Sequence, residues 1–193
     1  MWMFALPMQI DGQHGLDLIV GSKGSNASIG WLESPADPRQ TDAWTYHRLC
    51  DAGWIMSLIP HDIDGDGDQD VVASDRQGPG RGVFWLENPG AAEAARGGRW
   101  QKHLLGAADR EVMFLDLGGP TGHAPGSIVA ACKDREIVIL SPSGQQLTAD
   151  WQRTTIPFPS GCGRAKAAAT ADIDLDGHAD LVFTCERATE HLS

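Results

Sequence analysis

Asp62-Ile63-Asp64-Gly65-Asp66-Gly67-Asp68-Gln69-Asp70-Val71-Val72 returns 110 residues later as Asp172-Ile173-Asp174-Leu175-Asp176-Gly177-His178-Ala179-Asp180-Leu181-Val182. An internal repeat decides the architecture before any other feature, because stacked copies of one unit bury a core between units rather than within them. The offset corresponds to two units of about 55 residues. A weaker copy lies between them, where Ser127-Ile128-Val129-Ala130 stands for Asp70-Val71-Val72-Ala73. One unit upstream come Gln9-Ile10-Asp11-Gly12 and Asp17-Leu18-Ile19-Val20. Later parts of the unit also recur: Gly30-Trp31-Leu32-Glu33-Ser34-Pro35 as Phe84-Trp85-Leu86-Glu87-Asn88-Pro89, and Trp44–Leu49 as Trp100–Leu105 and again as Trp151–Ile156.

Each unit holds four short segments of strand character separated by Gly, Pro, Asn, Asp and Ser. In the second unit these are Trp54–Pro60, Asp70–Ser74, Gly82–Glu87 and Trp100–Leu105. Connections this short force antiparallel neighbours. No segment sustains a helical period, and Ala91–Arg96 offers one turn at most. Four-stranded antiparallel units repeating about every 50 residues are the blades of a β-propeller. The expected fold is therefore all-β, a partial propeller of about three and a half blades. The whole chain, 1–193, reads as one arc with repeats at approximately 1–53, 54–109, 110–163 and 164–193. Met3–Asp11 parallels Met56–Asp64, so Met1 falls in mid-repeat, and the strand Asp180–Thr184 comes close to the last residue. The expectation is a truncated arc, completed by further blades of a longer chain or by a second subunit that covers its open apolar faces.

The repeated loop carries the chemistry. In Asp-x-Asp-x-Asp-Gly-x-x-Asp, alternate residues of a tight turn aim carboxylates inward, and Gly67 and Gly177 permit the turn. The expected metal residues are Asp62, Asp64, Asp66, Asp68 and Asp70 in one loop and Asp172, Asp174, Asp176, His178 and Asp180 in the other, with Asp68 and His178 contributing backbone carbonyls. That many hard oxygen donors suit Ca²⁺ better than the stricter octahedron of Mg²⁺. An EF-hand would need Glu at loop position twelve, where Ala73 and Phe183 stand. The plainer alternative is a solvated acidic turn without an ion, but five aspartates within nine residues repel strongly unless a cation intervenes. Two further copies are degenerate: Gln9, Asp11, Gln13 and Asp17 keep two acids, with His14 in place of Gly, and Asp116-Leu117-Gly118-Gly119-Pro120 keeps one acid before an insertion.

Composition bounds the partners. The chain has 193 residues, 26 acidic against 15 basic, and a net charge of −11. A nucleic-acid binder needs the opposite balance. No apolar run is long enough to span a membrane as a helix. Met1-Trp2-Met3-Phe4-Ala5-Leu6-Pro7-Met8 lacks a basic n-region and a small-residue cleavage site, so no signal peptide is read here.

The two intact loops and the Trp-Leu-Glu-Asn-Pro segment make the chain resemble the FG-GAP/VCBS-type repeat family, whose calcium-binding propeller blades also build the head of integrin α chains. Neither a Phe-Gly pair nor a Gly-Ala-Pro triplet is present. The resemblance covers nearly the whole chain. It implies an extracellular or periplasmic setting and a role in adhesion, ligand binding or enzyme accessory function.

In such a blade the cation loops crowd one rim. The opposite rim is expected to carry Lys23, Arg76 and Lys133, each six residues after Asp17, Asp70 and Ser127, together with Arg164 and Lys166. Equivalent cations around an axis could hold an acidic glycan or a carboxylate-rich protein; alternatively they pair with Asp51, Asp75, Asp109, Asp134, Glu136 and Glu186 at the same end. The function read from the sequence is thus a non-catalytic, calcium-stabilised binding or scaffold module. The alternative is a fragment of a propeller-fold polysaccharide lyase or hydrolase. Tyr46 with His47 would suit a lyase, but His47 recurs as His103 and Glu33 as Glu87, which marks them as blade residues. His61, His123 and His178 are too scattered for zinc. Trp31, Trp44, Trp85, Trp100 and Trp151 recur at blade positions and read as packing residues. Cys50, Cys132, Cys162 and Cys185 show no Cys-x-x-Cys spacing; Cys132 and Cys185 are repeat equivalents, and Cys162 lies where it could reach a neighbour.

Overall fold

The computed structural model describes residues 1–144 and 150–188. The first sheet is formed by β1 (Trp2–Met8), β2 (Asp17–Ser22), β3 (Ser28–Glu33) and β4 (Thr45–Asp51). The second is formed by β5 (Ile55–His61), β6 (Asp70–Asp75), β7 (Gly82–Glu87) and β8 (Gln101–Gly106). The third holds β9 (Val112–Leu117), β10 (Ile128–Cys132), β11 (Glu136–Pro142) and β12 (Trp151–Pro157), and the fourth β13 (Arg164–Ala171) and β14 (Asp180–Glu186). All pairs are antiparallel and every sheet runs in chain order. No sheet closes on itself. One 3₁₀ turn (Thr41–Ala43) and one helical turn (Ala91–Ala94) interrupt the strands, the latter inside the segment expected to turn.

Strand burial follows from strand position. The second strands are short apolar runs: Val71, Val72 and Ala73 of β6, and Ile128 through Ala131 of β10, are 0% exposed. A run apolar on both faces must be covered on both, and neighbouring sheets supply the covers. Val71 and Phe84 face the first sheet, packing with Ile19, Ile29 and Trp31. Val72 and Trp85 face the third, packing with Ile128, Val138 and Leu140. That alternation is the two-residue period of a strand. Ile137 and Ile139 of β11 in turn pack toward Ala165 and Ala168 of β13. The first strands β1, β5, β9 and β13 lie beside one another, so consecutive sheets meet along their first edges and across their faces.

The first-to-second pairings share a register shift, between Trp2 and Phe4, Ile55 and Ser57, Ala130 and Cys132 (on the β10 side), and Ala165 and Ala167. A bulge of this kind sharpens local twist, and it aligns the units residue by residue. Met1, Trp54, Glu111 and Arg164 become equivalent on the first strands, as do Lys23, Arg76, Lys133 and Glu186 after the second.

Among the described residues no strand pairs with the far edge of β14. Val182 is consequently 41% exposed, whereas its counterparts Ile19, Val72 and Val129 are 0% exposed.

Candidate cation loops and the opposite rim

The loop from Asp62 to Asp70 joins β5 to β6, and that from Asp172 to Asp180 joins β13 to β14. The turn positions have positive φ: Gly65 at 78° and Gly67 at 97° in one, Leu175 at 63° and Gly177 at 88° in the other. Leu175 adopts the left-handed region although it carries a Cβ, at a cost of roughly 1–2 kcal/mol. The first, degenerate loop has the same shape, with Gly12 at 74° and His14 at 49°.

Backbone N–H groups converge on the carboxylates. Asp62 accepts from Gly65 (2.8 Å) and Gly67 (3.1 Å), and Asp172 from Asp176 (3.1 Å) and Gly177 (3.0 Å). The result is a trio of carboxylate oxygens within 4.8 Å of one another in each loop: Asp62, Asp64 and Asp70 in the first, Asp172, Asp174 and Asp176 in the second. Asp66 lies outside its trio and accepts from the Asp68 N–H at 2.9 Å; Asp180 lies outside the other. The His178 N–H donates to Asp176 at 2.8 Å.

The closing aspartate has a second task that spacing alone did not reveal. Asp70 takes the Ile63 N–H on one oxygen (3.0 Å) and the Asn88 N–H on the other (2.8 Å), tying the loop to the end of β7. Asp17 does the same with Ile10 and Ser34, both at 2.9 Å. Asp180 accepts from Ile173 at 3.1 Å, and no third strand is described in its sheet to supply the second donor. Burial, opposed by these N–H groups and reinforced by the charges of Asp64 and Asp66, pushes the Asp70 carboxyl up to about 6. Asp64 is raised as well, chiefly by burial and then by Asp66, Glu87 and Asp62 around it. Hard oxygen donors held together against their own repulsion fit a divalent cation.

The degenerate loop closes differently. Gln9 stands where Asp62 stands in its loop, and its Oε1 accepts from Gly12 as Asp62 accepts from Gly65. Its Nε2 donates to the carbonyls of Gln13 (3.0 Å) and Gly15 (2.5 Å). Gly15 is the counterpart of Asp68, whose carbonyl was expected to reach the ion. An amide N–H therefore meets the carbonyl that a cation would meet in an intact loop.

The third copy has become a brace. Asp116 accepts the Thr170 N–H at 3.0 Å. Thr121, in the insertion, donates to the Ala179 carbonyl (3.0 Å) and accepts the Ala179 N–H (2.7 Å), pinning the second acidic loop from the neighbouring sheet.

On the opposite rim, the cations are mostly matched. Arg76 and Lys133 both pair with Glu111, at 2.9 and 2.8 Å. Glu111 was absent from the acids expected there; only the bulge-corrected alignment brings it to that point. Lys166 pairs with Glu186 at 3.4 Å, and Arg164 lies opposite Glu186 in register. Asp51 pairs with Arg48, while Asp109 and Glu136 pair with Arg110 and Arg153. Asp75 is fully buried and holds backbone N–H groups instead. Lys23 forms no ion pair among the described residues and lies 4.5 Å above the Trp54 ring.

His47 stacks on Trp31 (4.4 Å) and bonds Glu33 (2.8 Å); His103 stacks on Trp85 (4.5 Å) and bonds Glu87 (2.7 Å). Two copies of one Trp–His–Glu arrangement mark a feature of the repeating sheet. The four cysteines are free thiols, and Cys162 meets Cys185 of the adjoining strand. No described helix is long and apolar enough to cross a membrane.

The fold and loops define a class: an all-β repeat protein of antiparallel sheets with two acidic turns at one repeat position. No family model matches the chain, and no curated protein matches it.

Proposed function

We propose that the chain is a calcium-braced arc of a β-propeller of the FG-GAP/VCBS type, acting as a non-catalytic binding or scaffold module of a secreted or periplasmic protein. One observation carries this reading. Two loops at the same repeat position each gather three carboxylates within 4.8 Å, and in the first of them burial already resists the charge of Asp64 and Asp70. Asp62, Asp64 and Asp70 would hold one Ca²⁺, and Asp172, Asp174 and Asp176 the other, with Asp66, Asp180 and the carbonyls of Asp68 and His178 in reach of the same turns. A bound ion would cross-link the two strands that each loop joins and lock the loop against its neighbour. It would supply charge neutralisation and rigidity, with no reaction routed through it.

The supports for a propeller are the chain-order sheets, the shared bulge and the first strands lying side by side. Further blades, from a longer chain or a second subunit, would cover the edge of β14. An acidic glycan or an acidic protein face is the partner class for the rim opposite the loops.

Calorimetric titration of chelator-stripped protein with Ca²⁺ and Mg²⁺ tests the core of the reading. Two sites that prefer Ca²⁺ are expected, and heat flat at millimolar Ca²⁺ would overturn it. Incubation with acidic polysaccharides separates a module from a lyase or hydrolase: retention without new reducing ends or unsaturated products is the expected outcome.

A further inference from the structure

At the seam between the first and second sheets, two positions combine residues that no other unit pairs there. Trp54 stands where the other units have Met1, Glu111 and Arg164, and Asp75 where they have Ser22, Cys132 and Cys185. Beside these two residues a cavity of about 460 Å³ opens, walled by Lys23, Gly24, Gly53, Trp54, Gln77 and Gly78, with Met1 at its margin.

The cavity is built, not incidental. Asp75, 0% exposed, accepts the backbone N–H groups of Gly53 (2.8 Å), Trp54 (2.7 Å) and Gln77 (3.2 Å), so one buried carboxylate fixes three wall residues. The sheets are joined across the seam by the Lys23–Trp54 bridge and by the Gly24 N–H on the Gly53 carbonyl at 3.2 Å. Arg76 lies 4.6 Å from the Trp54 ring and spends its charge on Glu111. Lys23 lies 4.5 Å from the same ring with no carboxylate to neutralise it among the described residues. A cation–π contact orients an ammonium without cancelling its charge, which leaves Lys23 poised for an anion. The Trp54 indole N–H is buried without a partner among the described residues, so the ring is held by its packing between Lys23 and Arg76. The Gln77 carboxamide, donor and acceptor at once, and the exposed backbone of Gly78 beside it suit hydroxyl groups. The volume is that of a small-ligand site.

We propose that this cavity binds a carboxylate-bearing sugar, with the Lys23 ammonium on the carboxylate and the Gln77 carboxamide and Gly78 backbone on the hydroxyls. The proposal rests on the reading of the chain as a binding module and assigns that module its site. Trisaccharides of galacturonate, mannuronate and guluronate, titrated into the intact protein by calorimetry, test it. At least one is expected to bind, with affinity that falls as salt rises, and its methyl ester to bind about tenfold more weakly or worse, since only the charge is removed. Lys23→Gln and Gln77→Glu should each weaken binding by about tenfold or more, while Lys23→Arg retains it and Arg96→Gln, beside the helical turn Ala91–Ala94 and paired with Glu93, leaves it unchanged. Thermal melts of each variant exclude unfolding as the cause. The Trp54 indole N–H resonance should shift on saturation. Binding that survives Lys23→Gln and Gln77→Glu, with Trp54 unmoved, would overturn this site and leave the module reading standing. If none of the three trisaccharides binds while calcium does, the site fails alone; if calcium also fails to bind, the module reading fails with it.

Discussion

Glu111 occupies in the third sheet the position that Trp54 occupies in the second, and Arg76 reaches both. Its guanidinium lies 4.6 Å from the Trp54 ring, and its Nε 2.9 Å from the Glu111 carboxylate. Lys23, Trp54, Arg76, Glu111 and Lys133 thus form a ladder along the rim in which each cation leans on an aromatic face or a carboxylate. The rim is a sheet-to-sheet fastening along which Lys23, among the described residues, has no carboxylate partner.

Glu111 therefore contributes to stability through a pH window with a definite sign. Lys133, foremost, and Arg76 hold its carboxyl below the usual glutamate range. A carboxyl whose folded pKa is depressed stabilises above its unfolded pKa of 4.5, and that contribution disappears as pH falls through the folded value. Glu111→Gln should lower stability at pH 7 by on the order of 1 kcal/mol, an amount appropriate to partly exposed pairs. Melting temperatures of the two proteins should differ by a few degrees at pH 7 and draw together as the pH falls below 4.5 through the folded value.

The two intact loops should report separately on cation binding. Asp64→Ala is expected to abolish the first site and leave the second, and Asp174→Ala the reverse, each seen as one lost site in a calorimetric count. Asp70 adds a pH dependence, because its folded carboxyl, raised to about 6 by burial, must lose a proton before a cation can use it. Calcium affinity at the first site should rise from pH 5 to pH 7. In metal-free protein the sign is opposite for stability: a raised carboxyl favours the fold at low pH and costs stability as pH climbs from 3.8 through 6. Chelator should therefore lower the melting temperature more at pH 7 than at pH 5.

Gln9 predicts a loop indifferent to chelation. Because its amide already bridges the Gln13 and Gly15 carbonyls, Gln9→Ala should destabilise equally with calcium and with chelator, by about 1 kcal/mol for the lost hydrogen bonds. Asp64→Ala, by contrast, should matter chiefly in calcium. Hydrogen exchange of the Gly12 and Gln13 amides checks the same point: protection should persist in chelator. A calcium-dependent penalty for Gln9→Ala would show that an ion, not the amide, closes this turn.

Much was legible in the chain because a repeat exposes its own period. Short strand-like segments bounded by Gly, Pro, Asn, Asp and Ser located the strands to within about two residues, and identical spacing of aspartates brought Asp62 and Asp64, and likewise Asp172 and Asp174, into their clusters. Other parts depend on pairing, which spacing cannot encode. Asp66 and Asp180 share the motif with the carboxylate trios yet lie outside them, a difference set by loop conformation in three dimensions. Asp75 reads as a surface acid and is a buried clamp on three amides. Glu111 gained two cationic partners only once the bulges had shifted the register by a residue.

The sequence by itself determined the unit, its four strands and its acidic turns, because periodicity and turn chemistry act over a few residues and survive in one dimension. Which charges meet, which remain unmatched, and where a cavity opens were decided by the stacking of one sheet on the next. Those contacts join residues such as Lys23 and Trp54 or Arg76 and Glu111, more than thirty positions apart, and electrostatics depends on distance in space, to which order along the chain is blind.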